Sequence, residues 1–188
     1  MANAVGSPLE IIARYYPDGP TRKLLIAHST AVAELALETA RRNKLDLDLE
    51  FVREACLLHD IGILHTDAPE LGCHGPLPYI AHGYKGREML EKEGLTKHAL
   101  VCERHTGVGI TRDEVIVQNL PIPVRDYLPA SEEEVLICYA DLFFSKSPRK
   151  RDRIRTVDEI CRSLARFGER KVATFTRWHE YFTPSDTP

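Results

Sequence analysis

Six side chains of types that commonly bind metal ions are spread along the sequence, and two of them are adjacent. His59 and Asp60 directly follow the apolar residues 57–58. A charged carboxylate among apolar residues is costly to bury unless a partner compensates it, and a divalent cation is such a partner. The other residues of this kind are His28, His82, His105 and Asp141. Four imidazoles and two carboxylates suit Fe, Mn, Zn or Co, whereas calcium prefers more oxygen ligands.

The number of these ligands predicts more than one metal ion. Six protein ligands exceed what one ion normally takes while leaving room for a substrate, but they suit two ions that share a carboxylate. Asp60 is the natural bridge, because each of its two oxygens can bind one ion while His59 holds the first. The sequence therefore predicts a binuclear centre with two divalent transition metal ions, whose identity it leaves open.

The charge of such a centre favours hydrolysis of a phosphate compound. Two divalent ions bring four positive charges, the two aspartates bring two negative ones, and the histidines are neutral. The excess can hold a hydroxide and an anionic phosphate. Two neighbouring ions lower the pKa of a water between them and polarise the phosphoryl oxygens. We therefore expect a phosphoester or phosphoanhydride to be cleaved by a metal-activated hydroxide, with Asp60 as a catalytic residue that orients it.

Three basic residues are close in sequence to the predicted ligands. Lys85 lies within one helical turn of a histidine ligand, Arg104 directly precedes another, and Lys146 follows the last carboxylate by five residues. All three are predicted to contact the substrate phosphate, and Lys85 and Arg104 are also predicted to be catalytic. The alternative for each is a solvated surface cation.

Helix-start and helix-stop residues predict the elements that carry the ligands. Thr21 is expected to cap a long helix that reaches about residue 42. His28 lies on the apolar face of that helix, which is an unusual place for an imidazole without a partner. Asp48 is expected to cap the next helix, which Gly62 is expected to end just after the His-Asp pair.

The rest of the chain also predicts helices. Ser131 opens a capping box before the apolar helix that contains Asp141, and Thr156 opens another. Residues 63–78 have no steady period and predict a long loop of the kind that is often functional. Because no segment has a convincing strand alternation, the sequence predicts an all-α protein.

Size and composition predict one domain in a reducing compartment. The 188 residues suit a single helical domain, and no apolar run approaches the roughly 20 residues of a membrane span. The five scattered cysteines and the absence of a signal-peptide pattern predict a cytoplasmic location.

The charge is unevenly distributed. Residues 146–155 carry a net charge of +5, so the remaining chain carries −8 of the total of −3. A mostly acidic surface argues against nucleic acid as a partner. The basic run itself is interpreted as a solvated helix start or as a contact for a phosphate tail.

The order of the ligands resembles the HD-domain superfamily of metal-dependent phosphohydrolases. Its pattern of His, His-Asp and Asp matches His28, His59-Asp60 and Asp141, and residues 57–62 match its HDIG subgroup. Binuclear members have two further histidines, matched by His82 and His105, and the set is similar to that of small bacterial diadenosine tetraphosphate hydrolases.

The resemblance implies a fold, a substrate and two alternatives. It covers about residues 21–146 and implies a single HD domain over residues 1–188, with residues 147–188 as C-terminal helices packed on the core. It implies a small phosphate compound as substrate, in particular a nucleotide; the lack of a long apolar run predicts no membrane partner. The same ligand set also serves di-iron oxygenases of the superfamily, and a non-catalytic metal-binding or nucleotide-binding module is the second alternative. The oligomeric state is not predicted.

Overall fold

Side-chain caps begin several helices at the residues where the sequence predicts them. The Asp48 carboxylate accepts a hydrogen bond from the backbone N–H of Phe51 at 3.0 Å. The Ser131 hydroxyl accepts one from the N–H of Glu134 at 3.2 Å, and Thr156 forms a capping box. Because each cap satisfies an N–H that the first helical turn leaves without a partner, these helix starts are determined locally.

The computed structural model describes residues 6–146 and 153–183. Residues 147–152, which include most of the basic run, lie outside the described residues. Within the described part the α-helices are α1 (Pro8–Tyr15), α2 (Pro20–Arg42), α3 (Leu49–Leu58), α4 (His82–Lys92), α5 (Thr96–Arg104), α6 (Arg112–Val117), α7 (Glu132–Asp141), α8 (Val157–Ala165) and α9 (Glu169–Phe182). This architecture confirms the all-α prediction. No helix among the described residues is both long enough and apolar enough to cross a bilayer.

Two predicted helix boundaries are wrong. Helix α2 starts at Pro20 after Gly19, so Thr21 is inside the helix and does not cap it. Proline is favoured at the first helical position because its missing N–H needs no partner there. Helix α3 stops at Leu58, and Gly62 lies within a following 3-10 helix, Ile61–His65.

The segment predicted as a long loop contains regular structure. After the Ile61–His65 helix, strands β1 (Asp67–Ala68) and β2 (Cys73–His74) pair antiparallel around a short 3-10 helix, Pro69–Leu71. The strands are too short for alternation to be visible in the sequence. A third 3-10 helix, Tyr79–Ala81, leads directly into α4.

Two large apolar clusters and a smaller third one form the core of the described residues, and α2 and α3 contribute to both large clusters. Val32 of α2 and Cys56 of α3 belong to the cluster shared with α7, α8 and α9. Leu25 of α2 and Leu58 of α3 belong to the cluster shared with α1, α4 and α5. His28 therefore lies along α2 between residues of the two clusters, so a polar layer is enclosed by apolar packing on both sides.

The C-terminal helix α9 covers one side of α7. Phe175 and Phe182 are fully buried, and their rings lie 5.9 and 4.9 Å from the ring of Tyr139 on α7. Burying a phenylalanine side chain stabilises a fold by about 1.5–3 kcal/mol. This packing holds α7, and with it Asp141, against the bundle.

Candidate metal centre

The six predicted ligands meet in the interior of the bundle. They come from α2, from the two residues that follow α3, from the first residue of α4, from the residue after α5 and from the last residue of α7. They form three overlapping groups in which all ligand atoms lie within 4.8 Å of one another: His28, His59 and Asp60; His59, His105 and Asp141; Asp60, His82 and His105. Residues far apart in sequence are thus brought within the reach of shared ions.

One group of atoms, which we call the first ligand set, surrounds Oδ2 of Asp60. The Nε2 atom of His28 lies 3.4 Å from this oxygen and 3.0 Å from Oδ1 of Asp141. The Nε2 atom of His59 lies 3.2 and 3.5 Å from the same two oxygens. The first ligand set therefore contains two imidazoles and two carboxylates.

The second ligand set surrounds the other oxygen of Asp60. Oδ1 lies 3.6 Å from Nε2 of His82 and 3.3 Å from Nε2 of His105. These two nitrogen atoms are 3.1 Å apart. Because its two oxygens face different ligand sets, Asp60 has the orientation of a bridging carboxylate.

Backbone carbonyl groups orient three of the imidazoles. Nδ1 of His59, His82 and His105 lies 2.6, 2.6 and 2.7 Å from the carbonyl oxygen three residues earlier. A carbonyl can only accept, so each Nδ1 carries a hydrogen and each Nε2 is the atom that faces the ligand sets. Such outer contacts fix the ring and the tautomer that a metal ion requires.

The donor set fits divalent transition metal ions. His59 and Asp60 are fully buried. Among the described residues, Nε2 of His28 and His59, both oxygens of Asp60 and Oδ1 of Asp141 have no well-oriented hydrogen bond. Buried carboxylate oxygens in this state are costly, and coordination to a cation compensates them. Mixed nitrogen and oxygen donors are typical of Fe, Mn, Zn and Co sites.

Gly62 permits a close approach between the 3-10 helix that follows Asp60 and the first turn of α4, which carries His82. A Cβ atom at this position would lie 2.0 Å from the carbonyl oxygen of His82 and 2.3 Å from the backbone nitrogen of Gly86. The 3-10 helix after Asp60 can therefore pack directly on the first turn of α4. This contact explains why glycine occupies the fourth position of the residues His59–Gly62.

The two ligand sets shift histidine pKa values in opposite directions. Burial opposes the charged form of His59, but Asp60 and Asp141 outweigh it and raise the pKa of His59 to about 10. Burial and the neighbouring His105 ring lower the pKa of His82 to about 3. The pKa of Asp60 lies well below its usual range because His59 and Lys146 outweigh its burial.

Lys146 lies beside the first ligand set. Its Nζ atom is 3.1 Å from Oδ2 of Asp60 and 3.6 Å from Oδ1 of Asp141, and 18% of its side chain is exposed. Burial opposes its charge, but the two carboxylates raise the pKa of Lys146 well above its usual range. The residue is thus a fixed positive charge at the opening of the centre.

Tyr79 is a neighbour of the centre that the sequence analysis missed. Its ring centroid is 4.6 Å from that of His82, and its hydroxyl forms a hydrogen bond with Lys146. The residue is 38% exposed, yet burial of its hydroxyl raises its pKa. The one available signal was its position three residues before a histidine ligand.

The other two predicted phosphate contacts have different partners. Nζ of Lys85 lies 2.8 Å from a carboxylate oxygen of Glu88, and Arg104 forms an ion pair with Glu134 at 3.1 Å. Neither side chain forms a hydrogen bond or an ion pair with the six ligands in the part of the chain that the structure describes. The structure therefore does not bring Lys85 and Arg104 to the metal centre, and their catalytic role stays a prediction.

A groove of about 580 Å³, which we call the metal-side groove, opens beside His28 and Lys146. Its wall is mainly apolar and includes Leu24, Ala27 and Phe144. Because His28 of the first ligand set lines the groove, a molecule bound there would lie next to both a metal ligand and an apolar surface.

Comparisons with known proteins give relatives of different overall size. The chain is 42% identical over 121 residues to the uncharacterised protein MJ0778 of Methanocaldococcus jannaschii, covering 62% of this chain and 64% of that protein. It is 34% identical over 119 residues to a tRNA (cytidine(56)-2'-O)-methyltransferase of Picrophilus torridus, covering 63% and 30%. It is 31% identical over 126 residues to the protein of the same name from Thermoplasma volcanium, covering 66% and 33%. The chain thus spans at most 64% of the length of these relatives.

The fold and the family agree with the ligand geometry. The HD domain of the L. monocytogenes phosphodiesterase PgpH superposes with a TM-score of 0.53 at 15% identity, covering 93% of this chain and 94% of that one. This likeness concerns the fold alone. The family model described as HD domain matches residues 25–144, which include all six ligands. Because this match extends over more than half of the sequence, the chain belongs to the HD domain family.

Proposed function

We propose that the chain is a metal-dependent phosphohydrolase that cleaves a phosphoester or phosphoanhydride of a nucleotide. The observation that carries the proposal is the orientation of Asp60, whose two oxygens face two separate ligand sets beside the positive charge of Lys146. This arrangement suits two ions and an anionic substrate at the same place. When bound, such ions supply Lewis acidity and lower the pKa of water.

The protein groups then have distinct tasks. Asp60 contributes one carboxylate oxygen to each ligand set. The carbonyl contacts of the histidine rings keep Nε2 directed inward. Lys146 is placed to neutralise a phosphate oxygen at the opening. The apolar clusters around the ligands keep bulk water away, which strengthens electrostatic interactions with the substrate.

The metal-side groove supports a nucleotide rather than a bare phosphate. Its volume of about 580 Å³ lies within the roughly 300–1,000 Å³ that is usual for small-molecule sites. The ring of Phe144 and the aliphatic side chains of Leu24 and Ala27 offer an apolar surface for a base or sugar. A phosphate at the first ligand set would leave its nucleoside next to this surface.

The names of the relatives do not change the proposal. The methyltransferase name describes two proteins of which the chain spans 30% and 33%. The arrangement of metal ligands in this chain has no evident part in methyl transfer, so that activity is not extended to it.

The test is turnover by the metal-loaded full chain. Protein purified without chelator and loaded with Mn²⁺, Fe²⁺, Zn²⁺ or Co²⁺ is expected to release product from bis(p-nitrophenyl) phosphate and from nucleotides. His59→Gln should lose this activity, whereas His74→Gln, which changes an exposed histidine of β2, should keep it. Oxygen uptake by the Fe²⁺ form without phosphate release would instead support the oxygenase. Binding of two ions without any turnover would support the non-catalytic module.

A further inference from the structure

A second groove, which we call the arginine groove, lies beside α8. It has a volume of about 520 Å³ and is lined by Phe144, Ser145, Ser163 and five charged residues. The charged residues are Arg153, Arg155, Glu159, Arg162 and Arg166, which give the lining a net charge of +3. Such a concentration of guanidinium groups is suited to a phosphate, which arginine can bind through two parallel hydrogen bonds.

Two of these arginines are held in place by the protein itself. Arg153 makes two hydrogen bonds to the carboxylate of Glu159, at 2.9 and 2.6 Å. Arg155 donates to the carbonyl oxygens of Leu142 and Glu159, both at 3.0 Å. These contacts fix one wall of the groove and link it to the end of α7, the helix that carries Asp141.

The side chains of the other two arginines have N–H donors without a partner among the described residues. Arg162 and Arg166 are exposed and lie one helical turn apart at the end of α8. Neither side chain forms a hydrogen bond or an ion pair within residues 6–146 and 153–183, although Arg162 lowers the pKa of Glu159. Like charges one turn apart repel each other, so their proximity favours a shared anionic partner.

The arginine groove and the metal-side groove meet. Phe144 and Ser145 line both grooves, and the next residue, Lys146, lines the metal-side groove and contacts Asp60. A molecule with one phosphate at the metal centre can therefore extend past Phe144 toward the arginines. The arginines themselves lie beyond residues 25–144, the part that matches the family model.

We propose that the arginine groove binds a second phosphate group of the substrate, separate from the one that is hydrolysed. This inference rests on the proposed function and narrows it to nucleotides that carry at least two phosphate groups. A small molecule is favoured over a nucleic acid, because the positive charge is local and the chain outside residues 146–155 carries −8.

A binding experiment tests the groove without any catalysis. Inorganic tripolyphosphate is titrated into the metal-free full chain in the presence of a chelator, and its Kd is measured by calorimetry. Replacing both free arginines, Arg162→Gln with Arg166→Gln, should weaken binding about tenfold. Arg170→Gln, an exposed arginine at the start of α9 that lines a different pocket, is the matched control and should bind normally. Unchanged affinity in the double variant would overturn the proposal.

A kinetic experiment separates this proposal from the proposed function. In the double variant we expect KM for a nucleoside triphosphate to rise about tenfold, with kcat and the hydrolysis of bis(p-nitrophenyl) phosphate unchanged. Arginine-dependent tripolyphosphate binding without turnover of any ester would keep the subsite and reject the hydrolase. Turnover with unchanged KM would keep the hydrolase and reject the subsite. If the double variant lost affinity for single-stranded RNA but bound tripolyphosphate normally, the phosphate subsite would also be rejected.

Discussion

The two ligand sets share Asp60 but provide different electrostatic environments. His59 and His82 are both buried, with exposures of 0% and 2%. Even so, the pKa of His59 is raised to about 10, whereas that of His82 is lowered to about 3. Burial favours the neutral ring in both sets, so the difference comes from neighbouring charges. Both sets contain two imidazoles, but the first set has a second carboxylate, Asp141, whereas the second set has only the shared Asp60.

This comparison predicts two metal sites of unequal strength. The first ligand set concentrates negative charge and should bind its ion tightly, but a proton on His59 competes with that ion. The second ligand set has less negative charge and should bind its ion more weakly, with no such proton on His82. Metal affinity and its pH dependence should therefore differ between two sites that touch the same carboxylate.

The largest expected effect comes from the shared residue. Asp60→Asn removes the negative charge from both ligand sets and replaces one oxygen by an N–H₂ group that cannot coordinate an ion. We expect metal content to fall from two ions to less than one, measured by mass spectrometry, and kcat to fall by roughly 10³-fold or more. Asp67→Asn, which changes an exposed aspartate of β1, is the control. Retention of two ions by Asp60→Asn would remove the bridging interpretation.

The next effect should be confined to the second ligand set. His82→Gln leaves the first set intact, so metal content should fall from two ions to one and activity by about 10²-fold. His28→Gln should instead weaken the tighter of the two ions. If wild-type protein bound a single ion and His82→Gln did not change it, the two-site comparison would be wrong.

A smaller effect is the pH dependence of metal affinity. Below about pH 10 the His59 ring of the metal-free protein carries a second proton, on Nε2. An ion can bind to this atom only when that proton leaves. Affinity for the first ion should thus rise about tenfold per pH unit between pH 6.5 and 8.5, with release of one proton. The second ion should show no such slope from His82, since that ring is already neutral. Competition with a chromophoric chelator measures both slopes, and equal slopes would contradict the comparison.

The candidate ligands could be predicted from the sequence because their signals are local. Helix caps such as Asp48 and Ser131 and the apolar face around His28 are properties of neighbouring residues, and both caps were confirmed. The order of the ligands then led to the family, which the family model confirms over residues 25–144.

Tertiary contacts account for what the sequence did not predict. The partner of Arg104 depends on folding, because Glu134 is 30 residues away, whereas Lys85 is paired locally with Glu88 in the same helix. Gly62 was expected to end a helix, whereas its role is a close approach between two elements. Tyr79 reaches Lys146 only because the chain turns just before α4.

The smallest expected effect also separates metal affinity from substrate affinity. Lys146→Met removes a positive charge 3.1 Å from Oδ2 of Asp60 while keeping most of the side-chain volume. The first ion should then bind about tenfold more tightly, because a competing cation is gone, whereas KM for a nucleotide should rise about tenfold, because the phosphate loses a contact. Lys146→Arg should restore KM, and Lys92→Met, which changes an exposed lysine at the end of α4, should alter neither value. If metal affinity and nucleotide affinity fell together, Lys146 would be a structural part of the first ligand set. Its charge would then not explain the difference between the two sets.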